Sequence, residues 1–218
     1  MKKFILLLSI LLNVCFLEAQ PSASAHVKND PTAERIAKRA ISQLKKSAYI
    51  SRFDFVYYSA ESEESEVSKG ELTIDNLRFR VHMNGIETIY DGLTQWVYIS
   101  ENNEVTISEP SRDELVESNP MMMIEHYMSR HRINLDNEQL PDAHVVNFFP
   151  KDPKSCDFFK ISFIIDNTTY LPRQMTMSLR TGDKITIKWN SFKPTEAEKS
   201  IFVFNTAEYP DIEINDMR

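Results

Sequence analysis

The chain has 218 residues, a net charge of −7 and a pI near 5.3. That length gives one large domain or two small ones, with enough chain to bury a sizeable core. Hydrophobic residues at 42% and charged residues at 26% exclude a disordered chain, 4 glycines argue against Gly-rich phosphate loops, and the acidic balance supplies no basic footprint for nucleic acid.

Lys2 and Lys3 precede a short apolar run, Phe4 to Leu12, and small residues follow at Ala19 and at Ala23-Ser24-Ala25. This is the layout of a secretory signal peptide over residues 1–19, with cleavage as late as residue 25 as the alternative. The run is too short to span a bilayer, which takes about 20 residues. The expected product is an exported protein with no stable membrane insertion. Cys15 lacks the small preceding residue of a lipoprotein signal, and after cleavage Cys156 has no partner in the chain for a disulfide.

A helix is predicted after Asp30, which suits an N-cap, with Pro31 in the first turn. Its apolar stripe is Ile36, Ala40, Ile41 and Leu44. Strand signals follow. Phe53, Phe55 and Tyr57 alternate with Asp54, Val56 and Tyr58. Val67 to Ile74 reads as a second strand after a solvated acidic loop. Leu77, Phe79, Val81 and Met83 share one face of the next, with Arg78, Arg80 and His82 on the other. Asn84-Gly85 is a hairpin signal, and Asp91-Gly92 a further turn. Ile86 to Tyr90, Trp96 to Ser100 and Val105 to Ile107 complete this run of strands.

The pattern breaks over residues 108–135, where a helical turn near Arg112 to Val116 leads to a second helix. Ser118 or Asn119 caps it, Pro120 opens it, and it contains Met121-Met122-Met123-Ile124. Strands resume at His144. Phe159, Ile161, Phe163 and Ile165 are assigned to one face, and Met175 to Leu179, Ile185 to Trp189, and Phe202 to Phe204 form the rest. The expected fold is mainly β: an antiparallel half-open barrel of about ten or eleven strands with an α-helical lid. A curled sheet of that width, lined by Phe, Ile, Val and Met, leaves an apolar cavity unless helices fill it. The methionines of the second helix suit an adaptable lining, with plain core packing as the other reading of the same cluster.

Residues 70–107 carry a family resemblance. Gly70-Glu71-Leu72-Thr73-Ile74 precedes Leu77-Arg78-Phe79-Arg80-Val81, then Asp91-Gly92-Leu93-Thr94-Gln95-Trp96-Val97-Tyr98, then Glu104-Val105-Thr106-Ile107. With Asn119 to Ile124, Phe202-Val203-Phe204 and Asp211 to Ile214, this order resembles the LolA family of periplasmic outer-membrane lipoprotein carriers. The resemblance implies that residues 26–218 form a single lipoprotein-carrier-like domain in the periplasm. It implies acylated lipoproteins as cargo, an inner-membrane ABC transporter as loader and an outer-membrane acceptor. Nothing in the residues suggests an obligate dimer, and a monomer is expected.

The cavity candidates are Phe79, Val81, Met83, Trp96, Met121, Met122, Met123, Ile124, Ile161 and Phe163. Trp96 lines the cavity or packs outside it. The family's closing Arg, in an Arg-Pro after the strand that begins at Gly70, is replaced here by Asp75-Asn76-Leu77. Arg78 and Arg80 are the substitutes to consider for lid closure, with Ile36 and Ile41 on the helix face. The alternative function is a lipid-binding sensor or regulatory module of the RseB type. No enzyme, cofactor or metal is expected: G-x-S-x-G, H-E-x-x-H and C-x-x-C do not occur, and His126 and His131 are poorly spaced for one metal.

Overall fold

The computed structural model describes residues 29–138, 140–154 and 156–218. The expected leader lies outside them. Helix α1 (Pro31–Leu44) begins where the sequence places it: Asp30 Oδ1 accepts from the Thr32 and Ala33 amides at 2.7 and 3.3 Å. Its buried face is Ala33, Ile36, Ala37, Ala40, Ile41 and Leu44. A run of hairpins follows in β1 (Ala48–Tyr58), β2 (Ser65–Asp75), β3 (Arg78–Met83), β4 (Ile86–Tyr90), β5 (Gln95–Ile99) and β6 (Glu104–Ser108). A 3-10 turn (Val116–Ser118) leads into α2 (Pro120–Arg130). After it come β7 (His131–Leu135), β8 (Ala143–Pro150), β9 (Phe158–Asp166), β10 (Pro172–Leu179), β11 (Lys184–Trp189), β12 (Lys193–Thr195) and β13 (Glu213–Asp216).

The strands form one open sheet in the order β13-β6-β5-β4-β3-β2-β1-β11-β10-β9-β8-β7, with β12 also on β1. It is open and unclosed, with the helices against one face, as the expected half-open barrel requires. Short turns make the neighbours antiparallel, as at Asn84-Gly85, where φ of 52° and 76° fits a tight two-residue hairpin. The exception is β13, which runs parallel to β6 because a long connection carries the chain back to that edge. The opposite edge is covered. The Asp30 amide donates to the Ile133 carbonyl at 2.9 Å, and Asn29 Oδ1 accepts from the Ile133 amide at 3.3 Å, so the start of α1 occupies the free side of β7.

Thirteen strands among the described residues exceed the expected ten or eleven. The expectation omits β7, β12 and β13 and places a strand at Phe202 to Phe204. Phe202 instead closes a 3-10 turn (Lys199–Phe202) and Phe204 follows in irregular chain. Both are buried, but against the outer face of the sheet rather than within it. A second correction concerns Phe159, which is exposed. A register shift between Ser178 and Leu179 pairs Leu179 with Phe158, so Phe158 takes the inward place.

Two apolar layers result. On the inner face, α1 and α2 pack against residues of β1 to β4 and β7 to β11. On the outer face, the C-terminal segment lays Phe202 and Phe204 over Ile89, Val105 and Ile107, with Trp96 and Tyr98 alongside. Helix α2 is buried on several sides at its start. Four consecutive residues, Met121 to Ile124, are each 2% exposed or less, because the sheet, α1 and the preceding turn enclose them.

Candidate functional site

The inner face keeps one substantial apolar gap. It has a volume of about 140 Å³ and lies between the sheet and the entry to α2. The sheet supplies Phe53 and Phe55 from β1, Leu72 from β2, Val81 and Met83 from β3, Ile86 and Thr88 from β4, Met175 and Met177 from β10, and Ile185, Ile187 and Trp189 from β11. The lid supplies Glu117, Ser118, Pro120 and Met123. Strand alternation explains the set. Val81 stands opposite Leu72 and Thr88, Phe55 opposite Ile187, and Ile187 opposite Met175, so one face is continuous across several strands. Four methionines, Met83, Met123, Met175 and Met177, give the lining flexible, polarisable walls.

Of the sequence candidates, Val81, Met83 and Met123 line this cavity. Phe79 is fully buried and stacks on Tyr90 with ring centroids 5.5 Å apart. Met121, Met122 and Ile124 are packed within the inner core, and Ile161 and Phe163 lie in the same core on β9. None of these six is a wall of the cavity. Trp96 belongs to the outer layer, since it pairs with Ile89 and Ile107 on the face away from the helices. Ile36 and Ile41 are buried under α1, 4% and 8% exposed. The sequence reading passes over Phe53, Phe55, Met175, Met177, Ile185 and Ile187 as cavity residues, although their alternation marks the inward face. It also passes over Glu117, which reads as an ordinary acid before a helix.

Arg78 and Arg80 do not reach the lid. Strand alternation turns both toward the outer face. Arg78 pairs with Asp75 and its guanidinium lies 4.9 Å from the ring centroid of Phe202. Arg80 donates to Glu87 at 2.8 Å and to the Ile201 carbonyl at 3.4 Å. They hold the C-terminal segment. The lid is tied instead at the Asp75-Asn76-Leu77 turn. Asn119 is fully buried, and its Nδ2 donates to the Asn76 carbonyl at 2.8 Å. Its Oδ1 accepts from the Met121 and Met122 amides at 3.0 and 3.4 Å, which caps α2. Asn76 has a φ of 56°, a conformation that Asn tolerates and that aims its carbonyl at the lid. Lys45, just past the end of α1, adds an ion pair to Glu125 of α2 at 2.7 Å.

Glu117 is the one carboxyl among the cavity's walls. Tyr127 Oη donates to its Oε1 at 2.8 Å. Burial pushes its pKa up, and the Tyr127 hydrogen bond acts against that shift. On the other side of α2, a cleft of about 240 Å³ is bounded by Arg112, Asp113, Glu125, His126 and Arg130. Those charges are paired with one another: Arg112 with Glu125 at 2.7 Å, Arg130 with Asp113 at 2.8 Å, and His126 with Asp113 at 3.5 Å. Among the described residues, no cluster of three or more His, Cys, Asp or Glu could hold a metal ion, and no helix is long and apolar enough to cross a membrane.

Comparison with known proteins agrees with this architecture. The family model for the outer membrane lipoprotein carrier protein LolA matches residues 38–183. No curated protein matches the chain. An uncharacterized conserved protein from Thermus thermophilus is similar over 85% of this chain and 99% of its own, at 14% identity and a TM-score of 0.57. A LolA superfamily protein from Nitrosomonas europaea covers 79% and 97% at 11% identity and a TM-score of 0.44. MucB in the MucA/MucB complex of Pseudomonas aeruginosa covers 80% and 62% at 14% identity and a TM-score of 0.44. At 14% identity the Thermus likeness speaks to the fold alone.

Proposed function

The chain belongs to the family of the outer membrane lipoprotein carrier protein LolA, and we propose on that premise that it carries acylated lipoproteins across the periplasm with their acyl chains in the cavity between α2 and the inner face of the sheet. The supporting observation is the cavity itself: an apolar gap with a methionine-rich wall, closed on one side by a tied helix. In this reading an inner-membrane ABC transporter loads the carrier and an outer-membrane acceptor unloads it.

The volume decides how the cavity is used. Engineered apolar cavities of about 150 Å³ hold a single benzene. A gap of about 140 Å³ is on that scale, so the lid stands closed, and a long acyl chain enters only as α2 moves away from the sheet. Each CH₂ taken out of water stabilises the loaded form by about 0.8 kcal/mol. Opening forfeits the contacts of Pro120 and Met123 with the sheet and strains the Asn119–Asn76 tie. Those losses oppose loading and assist release, which a carrier needs as much as capture.

Adjacent positions on β3 provide the test. Val81 faces the cavity and Arg80 the C-terminal segment. A photo-crosslinking residue at 81 is expected to label an acylated protein in the periplasm, and one at 80 is not. Equal labelling from both positions, or none from 81, would remove the cavity from the proposal. Labelling of lipid without protein would favour a lipid sensor.

A further inference from the structure

Glu117 stands half-buried in an otherwise apolar wall, where a carboxyl is costly to place, and the fold does not use it for the usual reasons. It is not the cap of α2, because Asn119 serves there. It has no cationic partner among the described residues, and Tyr127 Oη occupies only Oε1. Among the described residues Oε2 receives no hydrogen bond in the structure. Ser118 and Thr88 are the hydroxyl-bearing neighbours in the wall, and the remaining walls are apolar but for the Trp189 ring. An apolar pocket with a small number of polar groups commonly uses them to orient a ligand's head.

We propose that Glu117 is a specificity-determining residue of the cavity: its carboxyl accepts a hydrogen bond from an N–H-bearing head of an acylated ligand and disfavours ligands whose head is a carboxylate or phosphate. This rests on the reading of the cavity as an acyl site and adds to it a choice of head group. Tyr127 fixes one carboxyl oxygen and so orients the other. An amide or ammonium N–H matches that acceptor, as an N-acylated or free amino terminus of a lipidated cysteine would. Where Glu117 is ionised, an anionic head placed beside it meets like charge in an otherwise apolar wall.

The experiment compares dodecanamide and dodecanoate, which have equal tails and different heads, as competitors of a bound acyl fluorophore on the full mature chain. At alkaline pH, where Glu117 is ionised, wild-type protein should bind the amide at least about tenfold more tightly than the carboxylate. Glu117→Gln should reduce that ratio about fivefold or more, chiefly by strengthening dodecanoate binding, the repulsive carboxyl being lost. Tyr127→Phe, which keeps the carboxyl but loses the hydrogen bond that orients it, should reduce the ratio less than Glu117→Gln. Equal affinities in the wild type, or an unchanged ratio in Glu117→Gln, would overturn the assignment of Glu117 while leaving the acyl cavity in place. Failure of both probes to displace the fluorophore would overturn the acyl cavity and the assignment of Glu117 together.

Discussion

The ring of Phe53 lies over Gly70, its register partner on β2, so closely that a Cβ on Gly70 would fall 2.2 Å from Phe53 Cζ. The missing side chain is what lets Phe53 lie flat against the sheet and leave the cavity open above it. Gly70→Ala is therefore expected to lift the ring into the gap. Overpacking of this kind costs about 1–3 kcal/mol. Urea unfolding should show that loss, acyl-probe binding should weaken, and Phe53→Leu in the same chain should restore both in part. An unchanged midpoint and affinity would show that the ring turns aside freely.

Asn119 joins two functions, and they separate by substitution. Asn119→Ala removes both the cap and the tie to the Asn76 carbonyl; loss of a helix cap alone costs about 1–2 kcal/mol. Asn119→Asp keeps an acceptor for the Met121 and Met122 amides and loses only the Nδ2 donor. The account expects Asn119→Ala to lower the unfolding midpoint more than Asn119→Asp. Both should speed entry of an acyl fluorophore in stopped-flow mixing, since both release the lid.

The outer layer should matter for stability and not for ligand. Phe202 is fully buried against the face opposite the cavity. Phe202→Ala is expected to cost about 3–5 kcal/mol. Acyl-probe affinity, measured where the variant is still folded, should match the wild type. A parallel loss of affinity would mean that the C-terminal segment controls the shape of the inner face.

His131 sets an acid limit. It is 7% exposed, lies between Tyr127 and Phe158, and its Nδ1 has no hydrogen-bond partner among the described residues. Burial, helped by the nearby His126, pulls its pKa from 6.5 down to about 4. The unfolded chain therefore binds the proton first, so stability rises with pH in this window. Its full value is present above pH 6.5 and is lost as the pH falls toward about 4. A shift of that size is worth about 3 kcal/mol. His131→Phe, which keeps an aromatic ring in the cluster, should flatten the fall between those pH values in urea titrations. An identical slope would place the acid sensitivity elsewhere.

Much of the fold is legible in the residues because alternation and turn chemistry are local. Asn84-Gly85 marks its hairpin, Asp30 and the Ser118-Asn119 pair mark the starts of their helices, and Val81 and Met83 follow from the period of β3. What fails is decided at a distance. His131 to Leu135 follows α2 without a turn signal and becomes a strand through its pairing with β8. Phe202 and Phe204 alternate as a strand would, yet they are buried by the chain folding back over the outer face. The residues alone assign Trp96 no side, because β5 carries apolar residues on both of its faces and only the C-terminal cover distinguishes them. Glu117 escapes notice for the same reason. Its place in the wall depends on Tyr127, ten residues on, and on strands that reach it only in the folded sheet.

The most direct measurement is native mass spectrometry of the protein purified without detergent from its own host. The account predicts a one-to-one adduct with the mass of an acylated protein, lost when Val81 is replaced by Arg. A protein that carries no adduct and also refuses acyl probes would contradict it, and would make the 140 Å³ gap a packing defect rather than a site.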